Sequence, residues 1–387
     1  MNPNLKITIK DIALAAGVSV QTVSRVLNNR PDVSVETRIR VKRLITDLDF
    51  SPSEIARSLA HQRSSRTSFL PGKTWNDSDR HPIQAHGGCI LYENGVYYWF
   101  GENKDTPTKK NNLIGFNVDA VGVSCYCSSD LYNWKNLGLV LPAVKNDPTH
   151  ELHTSKIIER PKVVYNTVIK KYVMFLHLDT QDYQYARIGL AVCDQPAGDY
   201  EFLGSFSPNE ADSRDLTVFK DEDGKANLFH SAEWNKTLYA GELSADYCQT
   251  TGVFTRNFVN ASREAPAVFK RQGMYYCLTS GCTGWDPNEA QYAVAEKVLG
   301  PWKVIGNPCL GPDADKTFFA QSAFVFPVIG AKDAYIAMFD RWIKDDIGSS
   351  RYVWLPVRFV GDRMVIEWLD EWDLSFFKSL ESTHSRH

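Results

Sequence analysis

Five segments of the chain begin with a polar residue four places before an apolar stretch, and these polar residues are of types that do chemistry. Aligned on that offset, they are His86, Glu159, Arg214 with Asp215 beside it, Glu264 and Gln321. Paired carboxylates in one cleft suit hydrolysis of a glycosidic bond, in which one acid protonates the leaving oxygen and another group activates water. Nearby negative charge would raise the pKa of that acid and keep it protonated near neutral pH. A solvated polar ring without catalytic activity is the alternative.

The segments that carry these residues share one pattern, in which two apolar strands are joined by a turn. Asn94-Gly95 and Asp223-Gly224 have the composition of hairpin turns. The pattern recurs roughly every 50 to 70 residues, which favours a five-bladed β-propeller whose innermost strands all start at one mouth of the central channel. A two-sheet sandwich is the alternative, but it does not explain the repetition. The segments are HGGCILYENGVYYWFGE, ERPKVVYNTVIKKYVMFLH, RDLTVFKDEDGKANLFHS, EAPAVFKRQGMYYCLTSG and QSAFVFPVIGAKDAYIAMFD.

Composition indicates two different modules in a chain of 387 residues. The net charge of −3 argues against nucleic-acid binding along the whole length, yet residues 1–66 hold eleven Lys and Arg against six acids. No stretch resembles a signal peptide or a membrane span, and the eight cysteines show no metal-type pairing. We therefore expect free thiols in the cytoplasm. The sequence also predicts no cofactor, no required metal and no membrane partner.

The basic N-terminal part predicts three short helices. A capping box of Thr8 and Asp11 starts the first helix, Gly17 ends it, and Ser19 and Ser34 cap the next two. The predicted apolar faces are Ile12, Ala15 and Ala16, then Val23, Val26 and Leu27, then Ile39, Leu44, Ile45 and Leu48. The exposed residues of the second helix include Gln and Arg, which can read base edges. A generic three-helix bundle with a polar face is the alternative.

Residues 7–64 resemble the DNA-binding headpiece of the LacI family of repressors. TIKDIALAAGVSVQTVSRVLN is close to that family's signature, and FSPSEIARSLAHQRS resembles its hinge helix. The resemblance implies that Val20, Gln21 and Arg25 read bases in double-stranded DNA and that Leu59 wedges into the minor groove. It also implies a set of phosphate contacts by Ser19, Ser24, Asn28, Ser34 and Thr37.

The resemblance to LacI repressors stops after Ser64. In that family a sugar-binding sensor follows, which brings the dimer together and lets the hinge fold. Here SRTSFLPGKTWNDSDRHP follows instead. A single headpiece contacts one half-site, so we expect weak DNA binding with a steep dependence on salt.

Residues 72–377 resemble glycoside hydrolase family 43, a family of five-bladed propeller enzymes, and more narrowly its exo-β-1,3-galactanase branch. The motifs that carry the resemblance are PIQAHGGCILYENGVYYWFGE, IIERPKVVYN, DSRDLTVFKDEDGKA, SREAPAVF and RYVWLPVRF. Most of the family has an aspartate as base in the first blade. Here Ala85-His86-Gly87 holds no carboxylate, a loss that the galactanase branch shares.

This second resemblance implies roles for individual residues in an inverting hydrolysis of galactose-containing oligosaccharides or polysaccharides. Glu264 would be the general acid, Glu159 would tune its pKa, and Gln321 would act as base through an imidic acid form. A glutamine that only positions water is the alternative. The substrate-binding set is Glu102, Tyr183, Asp215 and Thr283, together with His86 at the same mouth. Trp285 suits stacking on a sugar or burial in the core, and Asp286 and Asn288 would add polar contacts.

These features predict an all-β five-bladed propeller preceded by a small all-α helix–turn–helix domain. The predicted boundaries are a headpiece at 1–64, a linker at 65–80, a propeller at 81–377 and a disordered tail at 378–387. The predicted function is a glycosidase with a DNA-binding module. The alternative is a LacI-type transcriptional regulator whose propeller senses carbohydrate, and a chance fusion with an idle headpiece is a further one. A general acid at Glu264 distinguishes an enzyme from a sensor.

Overall fold

A computed structural model describes residues 9–19, 22–23, 26, 33–47, 65–112 and 115–378. The chain divides into two compact units, Met1–Ser65 and Arg66–His387. The first unit is helical where it is described, and the second is built almost entirely of β-strands.

The first unit contains α1 (Ile9–Ala16) and α2 (Val35–Asp47). Gly17 ends α1, as predicted, and it does so with a left-handed φ of 62° while the amide of Val18 donates to the carbonyl of Ala13 at 3.0 Å. The predicted serine caps are confirmed as well. Ser19 Oγ accepts from the Thr22 amide at 3.1 Å, and Ser34 Oγ accepts from the Thr37 amide at 3.3 Å.

A small apolar core joins these helices. It consists of Ala13, Ala16, Val23, Val26 and Val41. Two of the predicted apolar faces were misplaced, because Ala15 and Ile39 are exposed. In each helix the buried pair is three residues apart, Ala13 with Ala16 and Val41 with partly buried Leu44, and this spacing turns the neighbouring positions to solvent. Thr8, Val20, Gln21, Ser24, Arg25, Asn28 and Leu59 lie outside the described residues.

The second unit has five blades. The four main strands of each blade are antiparallel, and one short parallel strand is added to the last blade. The first blade and a hairpin inserted in it comprise β1 (His86–Glu93), β2 (Val96–Glu102), β3 (Lys109–Asn111), β4 (Gly115–Asn117), β5 (Gly122–Ser128) and β6 (Lys135–Pro142). The second blade comprises β7 (Ile157–Asn166), β8 (Lys171–Asp179), β9 (Arg187–Cys193) and β10 (Glu201–Phe206). The predicted turn at Asn94-Gly95 joins β1 to β2, with both residues at positive φ, as the turn type requires.

The next two blades repeat this order. The third comprises β11 (Leu216–Lys220), β12 (Ala226–Ala232), β13 (Thr237–Leu243) and β14 (Thr250–Asn257). The fourth comprises β15 (Arg263–Arg271), β16 (Met274–Gly281), β17 (Gln291–Ala295) and β18 (Lys303–Gly306).

The last blade has five strands, with the short β19 parallel to β23 at its outer edge. It comprises β19 (Cys309–Leu310), β20 (Gln321–Pro327), β21 (Tyr335–Arg341), β22 (Arg351–Val360) and β23 (Arg363–Glu367). The innermost strands β1, β7, β11, β15 and β20 contact one another in sequence, and β20 contacts β1. The predicted five-bladed propeller is therefore confirmed as a closed ring.

Four of the five innermost strands share a β-bulge near their start. The register shifts after His86 in β1, after Glu159 in β7, after Glu264 in β15 and after Ser322 in β20. A bulge bends a strand and redirects side chains, and bulges are common beside active sites. In this protein they lie beside the residues that the sequence offset picked out.

The segment that the sequence suggested as a linker, residues 65–80, belongs to the propeller from Arg66 onward. Phe69 is 1% exposed and stacks on Trp372 with ring centroids 4.3 Å apart, and Trp75 packs edge-on to Trp354. Because these rings bridge the first and last blades, the segment helps to close the ring. The proposed tail beyond residue 378 lies outside the described residues. No helix within the described ranges has both the length and the apolar character to cross a membrane.

Candidate active site

A cavity of about 550 Å³ lies where the innermost strands begin, and all five blades contribute to its wall. It brings together eight of the residues that the sequence singled out for the site: Glu102, Glu159, Tyr183, Arg214, Asp215, Glu264, Trp285 and Gln321. Six further side chains line it: Arg160, His177, Trp234, Asn235, Cys282 and Trp342. The cavity is therefore rich in both ionisable groups and indole rings.

Among the described residues, the groups that hydrogen-bond to the side chain of Glu264, near the start of β15, are all neutral. Its Oε1 accepts from Gln321 Nε2 at 2.9 Å, while its Oε2 accepts from Cys282 Sγ at 2.8 Å and from Asn235 Nδ2 at 3.3 Å. Burial raises the pKa of Glu264 to about 7, and the negative charge of Asp215 adds to this effect. A carboxyl group with this pKa is protonated in a large fraction of molecules near neutral pH and can act as a general acid.

Gln321, the first residue of β20, has all its polar positions occupied. Its Nε2 donates to Glu264 and to Ser280 Oγ, the latter at 3.1 Å. Its Oε1 accepts from Arg160 Nη2 at 2.5 Å and from Trp342 Nε1 at 3.1 Å. Guanidinium and indole nitrogens can only donate, so the amide oxygen has to face them. A proton on that oxygen, as in an imidic acid, would point at two donors, and this arrangement therefore opposes the imidic acid form.

Glu159 in β7 lies between two cationic groups. Lys104 Nζ is 3.0 Å from its Oε1, and His177 Nδ1 is 3.5 Å from its Oε2. Burial alone would raise the pKa of Glu159, but Lys104 and His177 together outweigh burial and hold that pKa well below its usual range. Glu159 is therefore ionised under the conditions in which Glu264 is partly protonated.

The same cations connect to two further carboxylates. Lys104 Nζ also lies 2.7 Å from Glu102 Oε2, and His177 Nε2 lies 3.0 Å from Asp179 Oδ2. Burial disfavours the imidazolium, but the hydrogen bond to Asp179 and the nearby carboxylate of Glu159 raise the pKa of His177 to about 9. Burial also raises the pKa of Glu102 to about 7, although Lys104 opposes this shift. The pKa of Glu102 and that of Glu159 thus shift in opposite directions, because their neighbours differ.

Asp215, directly before β11, is held by the side chain of Arg160. Arg160 Nε donates to Asp215 Oδ1 at 3.2 Å, and Nη2 lies 3.1 Å from Oδ2. The same guanidinium donates to Gln321 and to the carbonyl of Ser322. Arg160 therefore ties the second, third and fifth blades together around the cavity.

Aromatic rings form part of the wall. Trp285 lines the cavity, donates from Nε1 to the carbonyl of Phe116 at 3.1 Å, and packs edge-on to Trp342 at 5.5 Å. Trp234 is 58% exposed, and the guanidinium of Arg214 lies 4.5 Å from its ring centroid. Trp285 thus belongs to the cavity wall rather than to the core, and together the three indoles offer flat apolar surfaces of the kind that stack on sugars.

A smaller cavity of about 290 Å³ adjoins the first one and shares Trp285, Gln321 and Trp342 with it. Asp286 and Asn288 line this second cavity. Their predicted polar contacts would therefore fall beside the site of Glu264 rather than within it.

Two predicted substrate-binding residues do not line the main cavity. His86 is fully buried, its Nδ1 lies 3.0 Å from Asp340 Oδ1, and its ring stacks on Tyr352. Thr283 is exposed, but its hydroxyl donates to the carbonyl of Asp286 and accepts from Asn288 within their own loop. Their assignment to substrate binding therefore stays a prediction that the cavity lining does not support. The bulge after His86 turns its side chain into the protein, and the loop of Thr283 uses the hydroxyl internally.

Most of the residues that the sequence reasoning missed lie off the innermost strands, and Arg160 on β7 is the exception. His177 is on β8, directly opposite Glu159 in the register, so strand pairing could have found it. Trp234, Asn235, Cys282 and Trp342 follow the ends of β12, β16 and β21, where no periodic pattern marks them. Over the described ranges, no group of three or more His, Cys, Asp and Glu side chains is arranged to hold a metal ion.

Residues 89–312 match the family model of glycosyl hydrolases family 43. Among solved structures, a GH43 β-1,3-galactosidase is 40% identical, covers 82% of this chain and 66% of its own, and has a TM-score of 0.76. A second, solved with galactodeoxynojirimycin, is 39% identical, covers 79% of this chain and 100% of its own, and has a TM-score of 0.73. An exo-β-1,3-galactanase from Phanerochaete chrysosporium, solved with β-1,3-galactotriose, is 33% identical, covers 80% and 68%, and has a TM-score of 0.71.

Residues 8–53 match the family model of bacterial regulatory proteins of the lacI family. The transcriptional regulator TreR of Salmonella typhimurium is 34% identical over 120 residues, which are 30% of this chain and 38% of that protein. The ribose operon repressor of Bacillus subtilis is 56% identical over 59 residues, which are 15% and 18% of the two chains. The chain thus spans well under half the length of these regulators. These matches confirm the predicted helix–turn–helix unit. The model of glycosyl hydrolases family 43 matches residues 89–312, which are more than half of the chain, so the chain belongs to that family.

Proposed function

We propose that the propeller is an exo-acting, inverting β-1,3-galactosidase in which Glu264 is the general acid. The observation that carries this proposal is the pKa of Glu264, which burial and Asp215 raise to about 7 in a cavity lined by three tryptophans. The similar solved proteins named as β-1,3-galactosidases or exo-β-1,3-galactanases support the choice of galactose and of the linkage.

In this proposal Glu264 gives its proton to the glycosidic oxygen as the bond to the terminal galactose breaks, while a water molecule attacks the anomeric carbon from the opposite face. The attacking water loses a proton to the solvent in the open cavity, and Glu264 regains a proton from solvent before the next turnover. Glu159 stays ionised because Lys104 and His177 lie beside it, and its carboxylate oxygens accept hydrogen bonds from the hydroxyl groups of the sugar. Glu102, Tyr183 and Asp215 add polar contacts from neighbouring blades, and Trp285 stacks on a sugar face. The rest of the substrate extends toward the smaller cavity.

We assign Gln321 to positioning rather than to proton abstraction. Its amide holds Glu264 on one side and is held by Arg160 and Trp342 on the other. An amide is also a weak base by ordinary chemistry, because its pKa lies far from the operating pH. This assignment differs from both expectations for Gln321, a base in the imidic acid form and a glutamine that only positions water, because here the amide holds the general acid itself.

Glu264→Gln tests the acid assignment, since the amide keeps the shape but carries no acidic proton. We expect kcat/KM on β-1,3-galactobiose to fall by about 10²–10⁴-fold, the usual contribution of general acid–base catalysis. In the unaltered chain kcat/KM should also decline as the pH rises through about 7, because the acid loses its proton. Glu289→Gln is the matched control, because Glu289 is exposed and its side chain accepts from Asn307, while the bond from Arg263 goes to its backbone carbonyl. Near-normal turnover by Glu264→Gln would refute the assignment.

A second candidate function is regulation of transcription, and the helix–turn–helix unit favours it. We propose that residues Val20, Gln21 and Arg25 read bases, that Ser19, Ser24, Asn28, Ser34 and Thr37 contact phosphates, and that Leu59 enters the minor groove. Ser19 and Ser34 are both exposed and accept from the amides of Thr22 and Thr37, and the start of a helix is a place where phosphates bind. Such a role requires access to the chromosome and therefore a cytoplasmic location.

Fluorescence anisotropy with the full chain tests this second function. Pseudo-palindromic operators and random duplexes of equal length are titrated at low and at moderate salt. We expect a preference for some operators, with affinity that falls steeply as salt rises. Equal affinity for every duplex at both salt concentrations would exclude sequence-specific regulation.

A further inference from the structure

Cys282 lies in the loop after β16, lines the main cavity and makes the shortest contact to Glu264. Its Sγ is 2.8 Å from Glu264 Oε2. The other hydrogen-bonding partners of Glu264 are the amide nitrogens of Gln321 and Asn235. The charged groups that face Glu264 from other elements are Asp215, ahead of β11, and Arg160 of β7.

A general acid alternates between two protonation states in every turnover, and its surroundings have to suit both. When Glu264 is ionised, both oxygens accept hydrogen bonds. When it is protonated, one oxygen has to donate, and amide N–H groups cannot accept. The Gln321 oxygen is held by Arg160 and Trp342, so it cannot turn toward Glu264 without breaking both bonds.

The two remaining partners, Asn235 and Cys282, differ in how far their atoms must move to change from hydrogen-bond donor to acceptor. Asn235 would have to turn its whole amide to present an oxygen to Glu264. A thiol is both a weak donor and a weak acceptor, and it changes role by rotating a single hydrogen about its C–S bond. Cys282 is therefore the partner that can follow the proton of Glu264 without any movement of heavy atoms.

We propose that Cys282 is a positioning residue for the general acid: it donates to Glu264 Oε2 when the carboxyl is ionised and accepts from it when the carboxyl is protonated. This inference rests on the proposed function of Glu264. It concerns the orientation of the carboxyl group through the catalytic cycle, and it does not make Cys282 a nucleophile or a redox centre.

Two variants test the role. Cys282→Ala removes both roles, but the bond to the ionised carboxylate is charge-assisted and therefore the stronger of the two, so its loss should raise the pKa of Glu264 and move the alkaline limb of kcat/KM up by about half a pH unit. We also expect kcat to fall about tenfold, because a carboxyl group that is less well oriented transfers its proton less efficiently. Cys282→Ser keeps a group that both donates and accepts, so kcat should stay within about threefold of the unaltered chain and the limb should not move up.

A purely structural role would lower thermal stability without moving the pH profile. Cys127→Ser is the matched control, since Cys127 is a half-buried thiol of β5 that does not line the cavity. The inference is overturned if Cys282→Ala keeps the alkaline limb and kcat of the unaltered chain. It is also overturned if Cys282→Ser is as impaired as Cys282→Ala.

The titration of Glu264 can also be followed without turnover, which separates this inference from the proposed function. The infrared carbonyl band of the protonated carboxyl is assigned by its loss in Glu264→Gln and is then followed against pH. A higher midpoint in Cys282→Ala, with no rise in Cys282→Ser, supports the inference even if no galactoside is hydrolysed. Equal midpoints in the unaltered chain, Cys282→Ala and Cys282→Ser overturn the inference, even if hydrolysis is observed.

Discussion

Gly87 leaves no room for a side chain beside the carboxylate of Glu102. A Cβ at Gly87 would lie 2.4 Å from Glu102 Oε1 and 3.2 Å from Arg160 Cδ, and its φ is +56°. Gly87→Ala should therefore push Glu102 out of its place in the cavity wall. We expect KM for β-1,3-galactobiose to rise about tenfold, equivalent to about 1.4 kcal/mol of binding, measured alongside the thermal midpoint.

Gly95→Ala is the control for backbone strain. Gly95 has a φ of +87°, and a Cβ there would meet nothing within 4 Å. Gly95→Ala should lose about 1 kcal/mol of the free energy of unfolding, as Gly87→Ala does from backbone strain, but it should keep its KM. A normal KM in Gly87→Ala, or an equal rise in both variants, would count against the crowding of Glu102.

The residues found by the shared offset were those on innermost strands, because equivalent positions in a propeller share one mouth. Glu159, Asp215, Glu264 and Gln321 all line the cavity. His86 has the same offset, but its side chain is buried in the protein and does not line the cavity. The direction of a side chain next to a bulge depends on local backbone angles, and composition does not encode these angles.

The connection between β12 and β13 places two cavity residues on a strained turn. Glu233, Trp234 and Asn235 have φ values of 54°, 59° and 58°, left-handed conformations that non-glycine residues adopt at a cost of about 1–3 kcal/mol each. Asp212 stabilises the turn, because its carboxylate accepts from the amides of Glu233 at 2.7 Å and Trp234 at 2.9 Å. A carboxylate held by successive amides in this way is a recognised anion site.

Asp212→Asn should loosen this turn and draw Trp234 and Asn235 away from the cavity. We expect a rise in KM of about tenfold, corresponding to the loss of about one charge-assisted hydrogen bond. Steady-state kinetics with β-1,3-galactobiose measures it. Asp246→Asn is the control, because Asp246 accepts from Ser244 and Cys248 in a turn that does not line the cavity. Equal KM values in both variants would show that the Asp212 turn does not support the site.

The strands were predictable from the sequence, whereas the strained turns were not. Apolar runs separated by Asn-Gly and Asp-Gly encode the hairpins directly, and their recurrence encodes the ring. The turn at 233–235 has no such signal, because its conformation comes from Asp212, more than twenty residues earlier in the chain. Loop residues such as Trp342 and Cys282 were missed for the same reason.

At the scale of the whole molecule, the two units should be separable at residue 65 but not further along. Arg66 already bonds to the propeller, because its amide donates to Asn133 Oδ1 at 2.9 Å and its carbonyl accepts from Asn133 Nδ2 at 2.8 Å. Removing residues 1–65 should leave kcat/KM and the thermal midpoint of the propeller unchanged. Removing residues 1–80 also removes Phe69 and Trp75, each worth about 3–5 kcal/mol in a well-packed core.

Thermal melting and galactobiose kinetics on both truncated chains check this boundary. The longer deletion should melt at a much lower temperature or fail to fold. A shorter deletion that loses activity while staying folded would contradict the separation of the units.

The charge asymmetry of the sequence predicted two modules, but the aromatic residues of the 65–80 segment gave no sign of their partners in the last blade, which lie about 300 residues away in sequence.

The central claim is that the propeller hydrolyses a galactoside with Glu264 as acid, and release of galactose by the full chain tests it most directly. β-1,3-Galactobiose is incubated with the full chain and with Glu264→Gln, and the products are followed by NMR from the first minutes. We predict that only the unaltered chain releases galactose and that the α-anomer appears first, as inversion requires. Saturable binding of the disaccharide without any release would contradict the claim and would identify the propeller as a carbohydrate sensor attached to a DNA-binding unit.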